Sequence, residues 1–500
     1  MIGKKLENLF SVTNMQKAYN NLKKNNINGR AKELEIRATH LYVRFLPKDI
    51  KQYDILIADT TLFLEDYPID YKRESAADFY HDPSIADSLP TYQYTAVPVG
   101  FATPESISME VLEELYLPKA DDHLSSPNGK ISSEFEDVVD ELEYEAFLIT
   151  NNLTNDEKKS NAGRAAGWLS SKHTPRRTIQ VRDSRLGIIR LNGGKVRTRR
   201  WFEVHEAITN YNGDYVINGT YRYDFNYDII WERAGFDIRS GTFVQARMDG
   251  PNCKCNWSPT IENGVQRFYA SVFRGAERYF NGNIGGLRSP QFLFDRMKIS
   301  AYDKDGDTNG VNWGNWDGFG IIPDIQIWRF VFGRERETDE IFSTVVHEIA
   351  HTTHLQVMNA GHIQYSQVSK IIFESWAVAV QWHITSMEYR VRGIANYGTP
   401  TFFNGINGFR VNFGYQYWFP ELDNTSREYT SLFIDIVDNN NQMGMFFNAI
   451  SDNLTGYTLS GIESGFLKHV YGVSSLRDKL KANKPALVTD AQIDELLNNF

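Results

Sequence analysis

The string Thr344-Val-Val-His347-Glu348-Ile-Ala-His351 constrains this chain more than any other stretch of it. It lies in a helical pattern that starts near Thr338-Asp339-Glu340, with a Thr cap and two acids in the first turn. Ile341, Val345 and Ile349 recur at four-residue spacing, so one stripe of the helix is apolar. His347 and His351 stand at i and i+4, one turn apart on one face. Imidazole nitrogens so placed can meet one zinc ion at ~2.0–2.1 Å, with Glu348 beside them to take a proton from water. The chain has 11 histidines, and a chance match of the form His-Glu-x-x-His is expected in roughly one such sequence in a hundred.

A zinc ion used in catalysis needs a third protein ligand and an open position. A pattern with Gly at 354 and His at 357 would supply one, but here those positions are His354 and Val357. His354 lies on the same helix about 10 Å along the axis from His347, too far for all three histidines to share an ion easily. Glu374 is the remaining candidate. It sits in Lys370-Ile-Ile-Phe-Glu374-Ser-Trp-Ala-Val-Ala-Val-Gln-Trp382, a helical stretch apolar on nearly all sides. A carboxylate at its centre must be paired or metal-bound, because an isolated buried charge is very costly. The expected metal set is therefore His347, His351 and Glu374, with Glu348 as base.

The pair of motifs HEIAH and Glu374-Ser-Trp-Ala, separated by residues 352–373, resembles the gluzincin metallopeptidases. That resemblance implies a zincin fold: a mixed sheet over the active-site helix, followed by a mostly helical subdomain with the glutamate helix. It implies a downstream Tyr or His that stabilises an oxyanion, and Tyr429 is the first choice, then Tyr457 and Tyr415. It also implies an edge strand for peptide binding, and DIQIWRFVF at 324–332 fits either that strand or an internal one. Two positions depart from the best-known subgroups, Phe373 where an Asn precedes the glutamate and Val378 where an acidic partner follows it. The strings THLYVRFLP, DTTLFLEDYPIDY and GNWDGFGIIPDIQIW are similar to those of Bacteroidetes zinc-peptidase-like proteins, whose setting is the cell envelope, often as lipoproteins.

A length of 500 residues suggests about three domains. Hydrophobic content of 41 % and charged content of 23 % are those of a folded chain. The fold class expected is α+β multidomain. Residues 1–175 read as an N-terminal α/β domain, with a helix over 12–35, strands at 40–46, 55–64 and 92–101, and helices at 106–116 and 134–147. Residues 176–255 carry short alternating runs separated by Asn-Gly turns, which predicts a small antiparallel β-sandwich. Positions 187–219 resemble the transthyretin-like, carboxypeptidase-regulatory β-domain, with a Gly-rich hairpin and a turn from Thr209 to Gly213. Residues 256–500 hold long helical patterns at 264–281, 338–358, 366–390, 425–451 and 489–499, and form the zincin-like metallopeptidase domain.

Asp305-Gly-Asp307-Thr-Asn309-Gly310 fits the first half of a calcium loop, although position 12 is Trp316 rather than Glu; Asp303 and Asp317 are substitutes. His354 and His362 read as cleft-lining or ordinary polar positions. Cys253 and Cys255 are two apart, so in a strand they point to opposite faces and are expected as free thiols. The net charge of −10 argues against a nucleic-acid partner. No run of eighteen apolar residues predicts a transmembrane helix. The start MIGKKLENLF lacks a signal-peptide core, which points to the cytoplasm or to a leader already removed, and the resemblance favours a secreted, periplasmic or cell-surface setting. The expected activity is zinc-dependent hydrolysis of peptides or proteins, glycoproteins included, by an endopeptidase. The alternatives are an aminopeptidase and a non-catalytic surface binding protein on a zincin frame. Retention of Glu348, which a closed structural zinc site does not need, favours the enzyme.

Overall fold

A computed structural model describes residues 2–24, 34–73, 80–86, 89–124, 132, 135–161, 171–291, 296–312, 324–358, 367–399, 428–438 and 452–500. The architecture mixes helices and sheets, as expected. Near the N-terminus, strand His40–Leu46 is flanked on both sides by antiparallel partners, Gln93–Pro98 and Ser108–Leu115. Helices Val12–Lys24 and Glu136–Ile149 pack together beside this sheet. Val43 and Phe45 fill a small core on one face, and Tyr42 joins a larger one on the other. That alternation is what a sheet covered on both faces requires.

Two local expectations fail here. Residues 106–116 read as a helix because Met, Glu and Leu favour it, yet Ser108–Leu115 is an edge strand. Cross-strand pairing decides the matter: Arg44 binds Glu110 at 2.6 Å, and Asn8 donates to Glu113 at 2.7 Å. Residues 55–64 read as a strand, yet Ile50–Ala58 is a helix. Asp49 caps it, accepting the Gln52 amide at 2.9 Å, and this nucleus outweighs the branched residues that follow.

Beyond residue 171 the chain forms a four-stranded antiparallel sheet from Glu203–Ile208, Lys195–Arg200, Phe225–Ile230 and Arg247–Cys253. Thr209 Oγ accepts the Gly194 amide at 2.8 Å and donates to the Leu191 carbonyl at 2.6 Å, tying its hairpins together. Gly213 adopts a positive φ of 72°, and a Cβ there would stand 2.6 Å from the Ile179 carbonyl, so the turn needs glycine. Cys253 and Cys255 are joined in a disulfide, contrary to the expectation of free thiols. Cys253 ends its strand and the chain bends at once, leaving the Cα atoms 5.3 Å apart instead of fully extended.

A mixed seven-stranded sheet carries the C-terminal half. Strands Phe236–Ser240, Met297–Gly306 and Ile325–Val331 run parallel, and Gly310–Asn312 pairs antiparallel with Ile325–Val331. Helix Gly264–Asn281 makes the crossover between the first two parallel strands, and helix Thr338–Met358 follows the third. The sheet draws strands from both sides of position 255, and Thr260–Ile261 pairs with Gln180–Asp183. Asp183 holds this junction, binding Arg274 and the Tyr389 hydroxyl at 2.7 Å each. At Gly275 a Cβ would stand 2.9 Å from the Phe342 carbonyl, so this glycine sets the close approach of the two helices. Among the described residues no helix is long and apolar enough to cross a membrane.

Candidate metal centre

Helix Thr338–Met358 is buried along almost its whole length between helices Gly264–Asn281 and Lys370–Val391 and the mixed sheet. Its entry differs slightly from the sequence reading. Thr338 is the first helical residue, and its hydroxyl accepts the Ser184 amide at 2.8 Å. Glu340 performs the cap, its carboxylate accepting the Glu337 amide at 2.9 Å. Asp339 is anchored by Arg185 at 2.8 Å and by the Tyr397 hydroxyl at 3.1 Å.

The helix presents His347 and His351 to Glu374 on the neighbouring helix. His347 Nε2 stands 3.2 Å from His351 Nε2 and 3.2 Å from Glu374 Oε2, and His351 Nε2 stands 3.4 Å from the same oxygen. Ligand atoms ~2.0–2.1 Å from one tetrahedral ion lie about 3.3–3.4 Å from each other, so the triangle has the dimensions of a metal face. The donor set, two imidazoles and one carboxylate, leaves a fourth position open. This group can hold a metal ion.

The surroundings favour that use. His347 Nδ1 lies 3.1 Å from Gln381 Oε1. An amide oxygen only accepts, so Nδ1 carries the proton and Nε2 points its lone pair at the centre. Gln381 escaped the sequence reading; it lies seven residues after Glu374, hence on the same helix face, and is a polar residue in an apolar run. Phe373 stacks on the His351 ring at 3.9 Å between centroids and 10° between planes. Burial would raise the Glu374 carboxyl, but the two imidazoles beside it hold it well below the usual carboxylate range.

Glu348 is buried beside this triangle. Burial, reinforced by the Glu374 charge, pushes its carboxyl up to about 7, against the opposing effects of His347 and Arg336. Gly310 of the short outer strand lies against it; a Cβ there would stand 2.7 Å from Glu348 Oε1. Asn312 in the same strand donates to the Glu348 carbonyl and, at 3.0 Å, to Thr352 Oγ1. The strand next to the centre is therefore Gly310–Asn312, whereas Ile325–Val331 is internal, with partners on both sides.

Tyr429 stacks over His347, with centroids 6.1 Å apart and planes at 26°, and is 52 % exposed. Partial desolvation and the charges of Glu374 and Glu348 raise its phenol, keeping it a donor. Its neighbour Thr430 is tied to Ser375, the residue after Glu374, by a 2.6 Å hydroxyl contact and a 3.2 Å bond from its amide. Tyr457 is not at the centre: it is buried and donates to the Leu480 carbonyl at 2.9 Å. His354 is fully buried near Phe373 and Trp376 and is not part of the triangle; burial, then the neighbouring His351, lowers its pKa to about 3. Tyr415, His362, Trp316 and Asp317 lie outside the described residues. In the suspected calcium turn Asp305, Asp307 and Asn309 are exposed; Asp305 accepts the Gly333 amide at 2.9 Å, and Asp303 pairs with Arg329.

Compared with known proteins, the chain matches no family model, and no curated protein and no solved structure is detectably similar to it.

Proposed function

We propose that this protein is a zinc-dependent peptidase of the gluzincin kind, with His347, His351 and Glu374 as ligands and Glu348 as general base. The observation that carries the reading is the triangle of 3.2, 3.2 and 3.4 Å with a buried carboxylate beside it. On this reading residues 256–500 form the zincin-like domain, its mixed sheet completed by strands from before residue 255, alongside a transthyretin-like sandwich (176–255) and an N-terminal domain (1–175). Bound zinc supplies a Lewis acid that polarises a carbonyl and acidifies water. Glu348, buried beside the triangle, takes the proton of the attacking water and passes it to the leaving amine. Tyr429 donates its phenolic hydrogen to the developing oxyanion. The strand Gly310–Asn312, against Glu348, orients an extended peptide. The substrates are peptides or proteins, cut internally, in a secreted or envelope setting.

The test is metal content and casein hydrolysis in the wild type, Glu348→Gln and Glu374→Ala. Zinc retained in wild type and Glu348→Gln, weakened in Glu374→Ala, and activity lost in both variants are the expected results. Full zinc in Glu374→Ala places the third ligand elsewhere, and activity in Glu348→Gln removes the proposed base. Zinc without hydrolysis of any peptide pool would favour a binding protein on the same frame.

A further inference from the structure

A cavity of about 610 Å³ lies between the N-terminal region and the four-stranded sheet, a size within the ~300–1,000 Å³ of small-molecule sites. Its walls come from residues 6–252, so it shares no residue with the metal centre. Strands Phe225–Ile230 and Arg247–Cys253 contribute Asn226 and Asn252, which are register partners. Beside them Gly250 and Pro251 stand opposite the single residue Tyr227, a bulge of the kind that re-aims side chains next to sites. Asn252 Nδ2 donates to Asn226 Oδ1 at 2.7 Å. Asn226 Nδ2 and Asn252 Oδ1 then have no partner among the described residues. Turning both amides over leaves the same complement, one carboxamide nitrogen and one carboxamide oxygen.

Trp201 lines the same cavity. It opens the two-residue turn between Lys195–Arg200 and Glu203–Ile208 with φ at 53°, a conformation glycine adopts freely and tryptophan does not. Its indole N–H has no hydrogen-bond partner among the described residues. The wall also carries Lys72, Arg199 and Arg200 against Glu157, Asp224 and Asp249, so its charge balances. Most of that charge is committed. Arg199 pairs with Glu65 at 3.2 Å, Arg200 with Glu157 at 3.1 Å and Asp249 with Arg247 at 3.4 Å, and Asp224 Oδ1 accepts the Lys254 amide at 2.8 Å. Lys72, exposed, is the remaining charge. An ionic ligand would find little surplus to bind. What is on offer is neutral: a carboxamide donor and acceptor side by side, an indole N–H and an aromatic ring. Two adjacent hydroxyls match the first, one accepting from Asn226 Nδ2 and the other donating to Asn252 Oδ1. The C–H face of a sugar ring is apolar and can rest on an indole.

We propose that this cavity is a carbohydrate-binding site, in which Asn226 and Asn252 read adjacent hydroxyls and Trp201 offers its ring and N–H. The site stands whether or not the metal centre hydrolyses peptides, because its test reads sugar binding alone.

The zinc-loaded full chain is titrated by calorimetry with the methyl glycosides of mannose, glucose, galactose and N-acetylglucosamine, and with inorganic phosphate as the ionic control. Saturable binding of at least one glycoside, and none of phosphate, is the expected result. Asn226→Ala and Asn252→Ala should each weaken it at least about fivefold, the worth of one hydrogen bond, with zinc content unchanged. Glu374→Ala should bind the glycoside as wild type does. A mannose-glycosylated ribonuclease and its unglycosylated form separate the sources of sugar. Binding of the glycosylated form alone, displaced by free glycoside, assigns a protein-borne glycan, and glycoside binding without it assigns a free sugar. No saturable binding of any glycoside, binding of phosphate in their place, or glycoside binding unchanged in both alanine variants overturns the proposal.

Discussion

Replacing Gln381 by Leu tests whether the centre is organised as a metal site, without touching a ligand. Gln381 makes one contact with the centre, the 3.1 Å bond to His347 Nδ1. Its loss has two components. A buried hydrogen bond is worth about 0.5–1.5 kcal/mol net, and the abandoned N–H costs about 1–3 kcal/mol if nothing replaces the acceptor. The same imidazole, no longer held in the Nδ1–H tautomer, also presents its lone pair to the ion less often. Loss of such an outer partner typically costs 10–100-fold in metal affinity, or about 1.4–2.7 kcal/mol, within the range the hydrogen bond alone allows. Zinc affinity measured by competition with a graded chelator should therefore fall 10–100-fold in Gln381→Leu. Gln381→Glu, which keeps an acceptor and adds a negative charge, should bind at least as tightly as wild type. Unchanged affinity in Gln381→Leu beside a large loss in Glu374→Ala would refute the reasoning, because the His347 ring would then be set by its packing on His351 and Tyr429.

Two further predictions concern stability. Glu65 is buried among Arg199, Arg247 and Arg197 at 3.2, 3.1 and 3.6 Å, and their charges overcome its burial to hold it ionised. Glu65→Gln should cost about 3–5 kcal/mol in urea unfolding, the usual result of stranding buried charge, and a loss below 1 kcal/mol would show that the arginines find other partners. Burial pushes Glu463 up to about 7 from 4.5, against the pull of the Arg288 amide and charge. A raised folded value means the folded chain holds this proton more tightly. The stability it contributes is full below pH 4.5 and lost as pH rises through about 7. Glu463→Gln should flatten the stability profile over that window and gain at most about 3 kcal/mol at pH 8; identical wild-type and variant profiles would exclude the shift.

The metal triangle was legible because two of its members are local and the third is conspicuous. His347 and His351 follow from helical spacing alone, and Glu374 is a carboxylate in a run that otherwise reads as core. The structure brings all three together. Gln381 and Ser375 were not legible, since what each does depends on a partner on another element, His347 and Thr430. The same dependence explains the misread segments. Ser108–Leu115 has the composition of a helix, and only its pairing with His40–Leu46 makes it a strand. Ile50–Ala58 has the composition of a strand, and the cap at Asp49 makes it a helix.

The boundary at 255 followed a change in local pattern, from short strands to long helices. A sheet, however, is assembled by pairing across the sequence, and Phe236–Ser240 lies beside Met297–Gly306 in parallel register. This has a consequence for the centre. The helix bearing His347 and His351 rests on a sheet whose outer parallel strand belongs to the preceding region, and Asp183 from that region ties Arg274 and Tyr389 on the two flanking helices. The glutamate helix, which ends near Tyr389, is thus held at one end by the strand Gln180–Asp183 and along its length by the histidine helix. A separation of 3.2–3.4 Å between ligand atoms on different helices tolerates little relative sliding. The residues before 255 therefore contribute to the geometry of the centre while supplying none of its ligands.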